Sequence, residues 1–378
     1  MKKSGLIAKL TSCISAGILS LSLTGCGPIP TPISISGGDG RYISYSSTES
    51  GDVYLLKKPI KDIETKSTIN LSLVTYDVQT NSIVNNLEID KVPIGLSNTK
   101  NHVAYSFIDD KKNSHIAFIN NGRKKVIKNA CYPVMSHYDG CLAYTKNTKT
   151  GNDSTNFIYL DYFKTGLLHK TSIEGAPLAF SPDTSYLSFT SIDSKDKKMY
   201  LGTLHIPSGI TDKLIKITNS SKNLDNALPY FPQWIDNEKI LFQNLPRDGA
   251  KTTEIYVVEK DGDILRITDN AIEELGPMIS KKGEIFYVGL DPDNQVFTES
   301  PVYISKTDNG FWKEFKTKFT AQWTRVSGDK LIFAANKGEV FSVPLEDIVN
   351  GNKSNIKNIS SSVKTKKEIN SFFKKLFN

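Results

Sequence analysis

The sequence predicts an all-β fold, a β-propeller of four-stranded blades, with seven blades preferred over six or eight. Three observations carry that reading. The thirteen-residue frame Pro177–Phe189 (Pro-Leu-Ala-Phe-Ser-Pro-Asp-Thr-Ser-Tyr-Leu-Ser-Phe) returns without a gap from Pro93 as Pro-Ile-Gly-Leu-Ser-Asn-Thr-Lys-Asn-His-Val-Ala-Tyr. Further copies start at Pro32, Pro133, Pro229 or Pro232, and Pro277, with a seventh at Ala321 that lacks the proline, mostly 40 to 55 residues apart. Between starts the chain offers about four short apolar-alternating segments, and four strands in a repeat of ~45 residues mark a propeller blade.

Each copy opens with a strand, a tight polar turn and a second strand, in which large and small residues alternate, as in Tyr186-Leu-Ser-Phe-Thr. Third strands are expected at Ile69–Val78, His115–Asn120, Phe157–Tyr162, Met199–His205, Glu254–Glu259, Val302–Lys306 and Glu339–Val343. Fourth strands are expected at Ile83–Ile89, Lys125–Lys128, Leu167–Ile173, Thr211–Thr218 and Ile264–Thr268, after Gly- or Asn-rich turns such as Asn120-Asn-Gly122. A single blade cannot bury both faces, whereas a closed ring buries each blade against its neighbours. A pair of β-sandwiches lacks a recurrent motif at this spacing, and β-helix rungs are much shorter.

The N-terminus reads as an address. Lys2 and Lys3 precede an apolar, Ser-containing stretch from Leu10 to Ser22, the length of a signal-peptide core and short of the roughly 20 residues a membrane span needs. It ends in Leu23-Thr24-Gly25-Cys26, which resembles the bacterial lipobox. The resemblance implies cleavage between Gly25 and Cys26, lipidation of the Cys26 thiol and anchoring to a cell membrane or outer membrane. Each buried lipid CH₂ is worth about 0.8 kcal/mol, so two or three acyl chains hold a protein firmly. Residues 1–25 are thus expected to be a signal peptide, 26–31 a Pro-rich spacer, 32–360 the propeller and 361–378 a basic tail.

The motif pair Phe180-Ser-Pro-Asp-Thr-Ser-Tyr-Leu-Ser-Phe and Trp234-Ile-Asp-Asn-Glu-Lys-Ile-Leu-Phe is similar to the repeat of TolB-like propellers. Such repeats also build the propeller of prolyl-oligopeptidase-type enzymes. The glycine that usually follows the Asp is kept at Gly40 and Gly140 and replaced by Thr184 and Glu238. The resemblance covers most of 32–350 and implies a shared propeller. It also implies that the turns between second and third strands share one rim. The long connections Glu49–Thr68, Lys146–Asn156, Asn244–Thr253 and Gly289–Ser300 would there form a binding surface.

Charge argues against nucleic acid as a partner. Of the formal +7, residues 1–25 contribute +3 and residues 351–378 contribute +6, which leaves −2 on the body. There is no Gly-x-Ser-x-Gly elbow, His-Glu-x-x-His pair or phosphate-binding loop. His102, His115, His137, His169 and His205 are isolated, and no metal or cofactor is expected. Cys131 and Cys141 flank a predicted hairpin turn at unequal distances, which argues against a disulfide between them.

In the tail, Thr365 and Glu368 have the spacing of a capping box. Ile369, Phe372, Phe373, Leu376 and Phe377 then fall on one face of a short amphipathic helix whose other side is Lys-rich. Such a helix needs a surface: its own propeller, an anionic membrane or a partner protein. The functional expectation is a lipid-anchored, non-enzymatic scaffold for another envelope component. The alternatives are a propeller that binds a glycan or other small ligand, and a lactonase- or lyase-like enzyme with a central-channel site.

Overall fold

The structure is a computed structural model. It describes residues 42–359 apart from 48–51, 58–70, 78–81, 90, 92, 94, 100–101, 121, 137, 139, 151–152, 193–198, 208–209, 217–229, 245–251, 260–261, 291–299, 309–310, 322 and 335–339. Signal segment, Gly25, Cys26, spacer and tail (with Ile369, Phe372, Phe373, Leu376 and Phe377) lie outside the described residues.

The fold is an all-β propeller. The first sheet is β1 (Tyr42–Ser47), β2 (Asp52–Lys57), β3 (Leu71–Asp77) and β4 (Ser82–Ile89), and the second is β5 (Gly95–Asn98), β6 (His102–Ile108), β7 (Ser114–Asn120) and β8 (Arg123–Lys128). Next comes a seven-stranded sheet: β9 (Ala130–Met135), β10 (Leu142–Thr150), β11 (Asp153–Tyr162), β12 (Leu167–Phe180), β13 (Tyr186–Ile192), β14 (Met199–His205) and β15 (Ile210–Lys216). Three more four-stranded sheets follow. They are β16 (Tyr230–Trp234) to β17 (Lys239–Asn244), β18 (Glu254–Glu259) and β19 (Ile264–Arg266); β20 (Glu273–Ile279) to β21 (Ile285–Leu290), β22 (Ser300–Asp308) and β23 (Phe311–Ala321); and β24 (Trp323–Ser327) to β25 (Lys330–Ala334), β26 (Val340–Pro344) and β27 (Lys357–Asn358). Every sheet is an antiparallel meander of consecutive strands. The first strands neighbour one another around the molecule, β1, β5, β9, β12, β16, β20 and β24, and β24 lies beside β1.

The expectation of seven separate blades is corrected: among the described residues there are five four-stranded blades and one fused sheet of seven strands. The cause is β12, fourteen residues long, which runs through Gly175 and Pro177 without turning. Its first half pairs with β11 up to Glu174, and its second half pairs with β13 from Gly175. A Cβ on Gly175 would lie 1.9 Å from the Thr190 carbonyl oxygen, so only glycine lets the strand pass so close to its new partner. Three further expectations are corrected. The first sheet starts at Tyr42 and takes Asp52–Lys57, assigned above to a loop, as its second strand. Lys146–Asn156 lies in two paired strands: Lys146 pairs with Phe157 and Thr150 with Asp153, since Thr-rich alternation extends both strands. The last sheet also carries a short helix, α1 (Leu345–Asn350), closed by Gly351 at φ 69°.

The repeat frame has a physical reading. Pro133, Pro232 and Pro277 each sit in a first strand where two residues oppose one on the second strand, so the missing proline N–H falls at a β-bulge. The single residue opposite those three bulges is Tyr144, Phe242 or Tyr287, each at most 2% exposed. Behind the proline, the polar residue closes the turn. Ser181 Oγ accepts the Tyr186 N–H at 3.0 Å, and Ser136 Oγ accepts the Cys141 N–H at 3.0 Å. Ser280 Oγ accepts the Glu284 N–H at 3.1 Å, and Asp236 Oδ1 accepts the Lys239 N–H at 2.8 Å. These side chains satisfy backbone donors inside a tight turn.

Adjacent sheets are stitched by single polar contacts at the rims of apolar clusters. Trp234 Nε1 donates to the Ala179 carbonyl at 3.0 Å and the Asp183 N–H to Asn237 Oδ1 at 3.2 Å, while inside the fused sheet Thr145 Oγ1 donates to the Gly175 carbonyl at 2.8 Å, where β12 changes partners. Between these stitches, Leu201, Trp234, Ile240, Phe242 and Val258 form one packed cluster, against which Leu178, Ala179 and Tyr186 pack. Burial at about 25 cal/mol per Å² makes these aromatic-rich faces the main driving force for ring closure.

Candidate functional site

Among the described residues, a group of carboxyl side chains, two of them fully buried, lies between the sheets β16–β19 and β20–β23. Glu254 opens β18, and Glu273 and Glu274 open β20. Consecutive strand residues point to opposite faces, so a Glu-Glu pair at the start of an inner strand must send one carboxyl inward. Glu254 and Glu274 are fully buried. Gln243 donates through Nε2 to Thr253 Oγ1 and to the Glu274 backbone carbonyl, tying the end of β17 to the next sheet.

Each carboxyl has named partners. Asn270 Nδ2 donates to Glu274 Oε1 at 2.9 Å and to Glu314 Oε2 at 2.8 Å, and Thr268 Oγ1 lies 2.9 Å from Glu274 Oε2. Thr253 donates to Glu273 through both its N–H (3.0 Å) and its hydroxyl (2.8 Å). The Tyr287 hydroxyl donates to Glu314 Oε2. Arg266 reaches Glu254 Oε1 at 3.0 Å and Asp269 at 2.7 Å. Burial pushes the Glu274 carboxyl up to about 9, opposed by Thr268 and Asn270 and helped by the neighbouring Glu254 and Glu314. Burial also raises Glu273 against the two bonds from Thr253, and raises Glu254 against Thr268 and Arg266. A value raised this far favours the protonated form of Glu274 at neutral pH. Among the described residues, no group of three or more His, Cys, Asp or Glu could hold a metal ion.

The histidines highlighted in the sequence stay apart. His102 is buried against Phe118 and Phe163, and His205 packs on Tyr186. His115 Nε2 lies 3.0 Å from Asp109 Oδ2. Hydrogen bonding with His115 and the Asn113 N–H holds the Asp109 carboxyl down at about 2. His169 lies in β12 opposite Leu160, and His137 is outside the described residues. Cys131 and Cys141 are both buried. Cys131 pairs with Thr145, while Cys141 follows the turn and accepts from Ser136, so the strand register keeps them apart. Burial, reinforced by the Asp161 charge, pushes the Cys141 thiol up to about 12, which makes it unreactive.

Sequence reasoning did not single out the carboxyl cluster. Acids at strand ends ordinarily mark a solvated face, and the only usable signal was the adjacent pair Glu273-Glu274 in front of the Pro277 frame.

The fold and this cluster define the chain as a β-propeller protein. No protein-family model and no curated protein matches it. Solved structures do. A prolyl endopeptidase aligns with TM-score 0.57 at 11% identity, over 94% of this chain and 55% of that one. The propeller domain of the Trilobed protease from Pyrococcus furiosus, described as having an open velcro topology, aligns with TM-score 0.50 at 14% identity, over 71% of this chain and 82% of that one. A putative TolB from Agrobacterium tumefaciens aligns with TM-score 0.45 at 16% identity, over 68% of this chain and 91% of that one. The chain spans about half the length of the endopeptidase, and similarity at such identity shows the fold alone.

Proposed function

We propose that this protein is an exported lipoprotein whose propeller serves as a non-enzymatic scaffold for another cell-envelope component. The observation that carries the proposal is the order Lys2-Lys3, apolar Leu10–Ser22, then Leu23-Thr24-Gly25-Cys26. A thiolate placed directly after small residues is the nucleophile that diacylglyceryl transfer requires. In this reading residues 1–25 are removed, Cys26 becomes the acylated N-terminus, and 27–31 space the propeller from the bilayer. The basic tail 361–378 adds a second contact with an envelope surface.

The scaffold role is supported by how the polar groups of the cluster and of the turns are used. Glu254, Glu273, Glu274 and Glu314 all hold their own chain together, and the serines of the repeat are turn caps. A rigid ring that keeps its polar groups for itself offers loops and edges for recognition. Crosslinking in intact cells followed by affinity capture tests the role. The expected result is an envelope protein enriched over a Cys26→Ala control; a catalogue with no such enrichment contradicts it.

A further inference from the structure

We infer that the outer strand β23, with the helix-side loop beside it, is a docking face for an anionic phospholipid surface; the inference rests on the membrane-anchored reading above. In β23 the residues Phe311, Lys313 and Phe315 share one side, and Lys306 of β22 stands opposite Lys313. Deeper along the same strand, Phe319 is buried with Leu345 and Ile348 of α1. The apolar face therefore runs out from the core and loses its cover: Phe319 is 3% exposed, Phe315 43% and Phe311 74%.

Lysines surround this face. Lys306 Nζ sits 5.1 Å from the Phe315 ring centre, and Lys353 Nζ sits 5.7 Å from that of Phe319. Lys318 runs past Gly351 at the end of α1. Against Lys306, Lys313, Lys318 and Lys353 stands Asp308, paired with Lys313. Lysines alone would be an ordinary guard on a sheet edge, which discourages pairing with another chain. A phenylalanine three-quarters exposed defeats that purpose. Aromatic rings flanked by lysines suit the headgroup boundary, where the rings enter and the ammonium groups meet anionic lipid. The tail 361–378 repeats this composition, with five lysines and three phenylalanines. Its like charge disfavours the tail as the occupant of the β23 face.

The test uses the full chain bound to vesicles of phosphatidylcholine, alone or with 30% phosphatidylglycerol (by choice of mixture, roughly a bacterial charge density), with brominated acyl chains as quencher. A Phe311→Trp variant places an indole at the most exposed ring. Expected is quenching of its added emission at least about twofold greater on the anionic vesicles than on neutral ones, lost when Lys306, Lys313, Lys318 and Lys353 are changed to Glu. A chain that sediments with the vesicles while its added indole stays unquenched overturns this inference and leaves the anchor intact. That outcome includes the case in which the tail covers the face. A chain that sediments with neither vesicle overturns both readings.

Discussion

Tyr144 of β10 and Tyr159 of β11 stack across neighbouring strands, their ring centres 5.8 Å apart and their planes 12° from parallel. The same directly opposed pair recurs between second and third strands as Phe242–Tyr256, Tyr287–Tyr303 and Phe333–Phe341, at 5.5 to 5.6 Å. In three of the four, the second-strand ring is also the residue that faces the proline bulge. The repeat thus buries an aromatic ring where the first strand bends to fit the ring.

Removing one of these rings leaves a cavity bounded by two sheets. Phe242→Ala is expected to cost about 3–5 kcal/mol, against less than about 0.5 kcal/mol for Phe311→Ala at an exposed site. Urea unfolding of both variants, compared by midpoint at unchanged slope, checks the difference. Equal shifts would refute the assigned core.

Thr184 occupies φ 61°, a left-handed conformation that a β-branched residue rarely adopts. It stands in the turn closed by Ser181 and Asp183, at the position where the repeat elsewhere carries glycine. Relief of the strain is worth about 1–2 kcal/mol, part of it offset by the greater freedom of unfolded glycine. Thr184→Gly is therefore expected to stabilise the protein by roughly 0.5–1 kcal/mol, seen as a raised thermal midpoint. A lowered midpoint would show that the threonine side chain contributes more than its backbone costs.

The carboxyl cluster makes stability depend on pH in an unusual direction. Glu274 is near its ordinary value of 4.5 when unfolded and is held at about 9 in the fold. Between those values the folded state carries a proton that the unfolded chain lacks. Its contribution is fully present below about pH 4.5 and is lost as pH rises towards 9, at up to about 1.4 kcal/mol per pH unit. The raised values of Glu254 and Glu273 act with the same sign. Glu274→Gln keeps the hydrogen-bonding shape without the titration, so its unfolding free energy should fall less steeply from pH 6 to 9 than that of the parent (roughly the interval in which a proton held at this pKa is lost). Parallel curves would contradict the assignment.

Much of the fold was legible because its turns and bulges depend on residue types that leave a mark. Proline marks the bulge, Ser or Asp the turn, and an aromatic residue the second strand. The fused sheet was hidden because a strand that changes partners needs only one glycine, Gly175, and glycine more often announces a turn. Strand β23 was missed because Phe-Trp-Lys-Glu-Phe-Lys alternates by geometry without alternating apolar with polar. The carboxyl cluster depends on contacts between residues up to 44 positions apart, Asn270 with Glu314, which no local pattern encodes.

The central claim, a propeller held to a membrane through Cys26, is tested most directly by metabolic labelling with an alkyne-tagged fatty acid. The parent chain should take up label, partition into detergent and remain with membranes after a salt wash, while Cys26→Ala loses all three properties and still yields a folded chain. Equal labelling and partitioning of the two proteins would contradict the account.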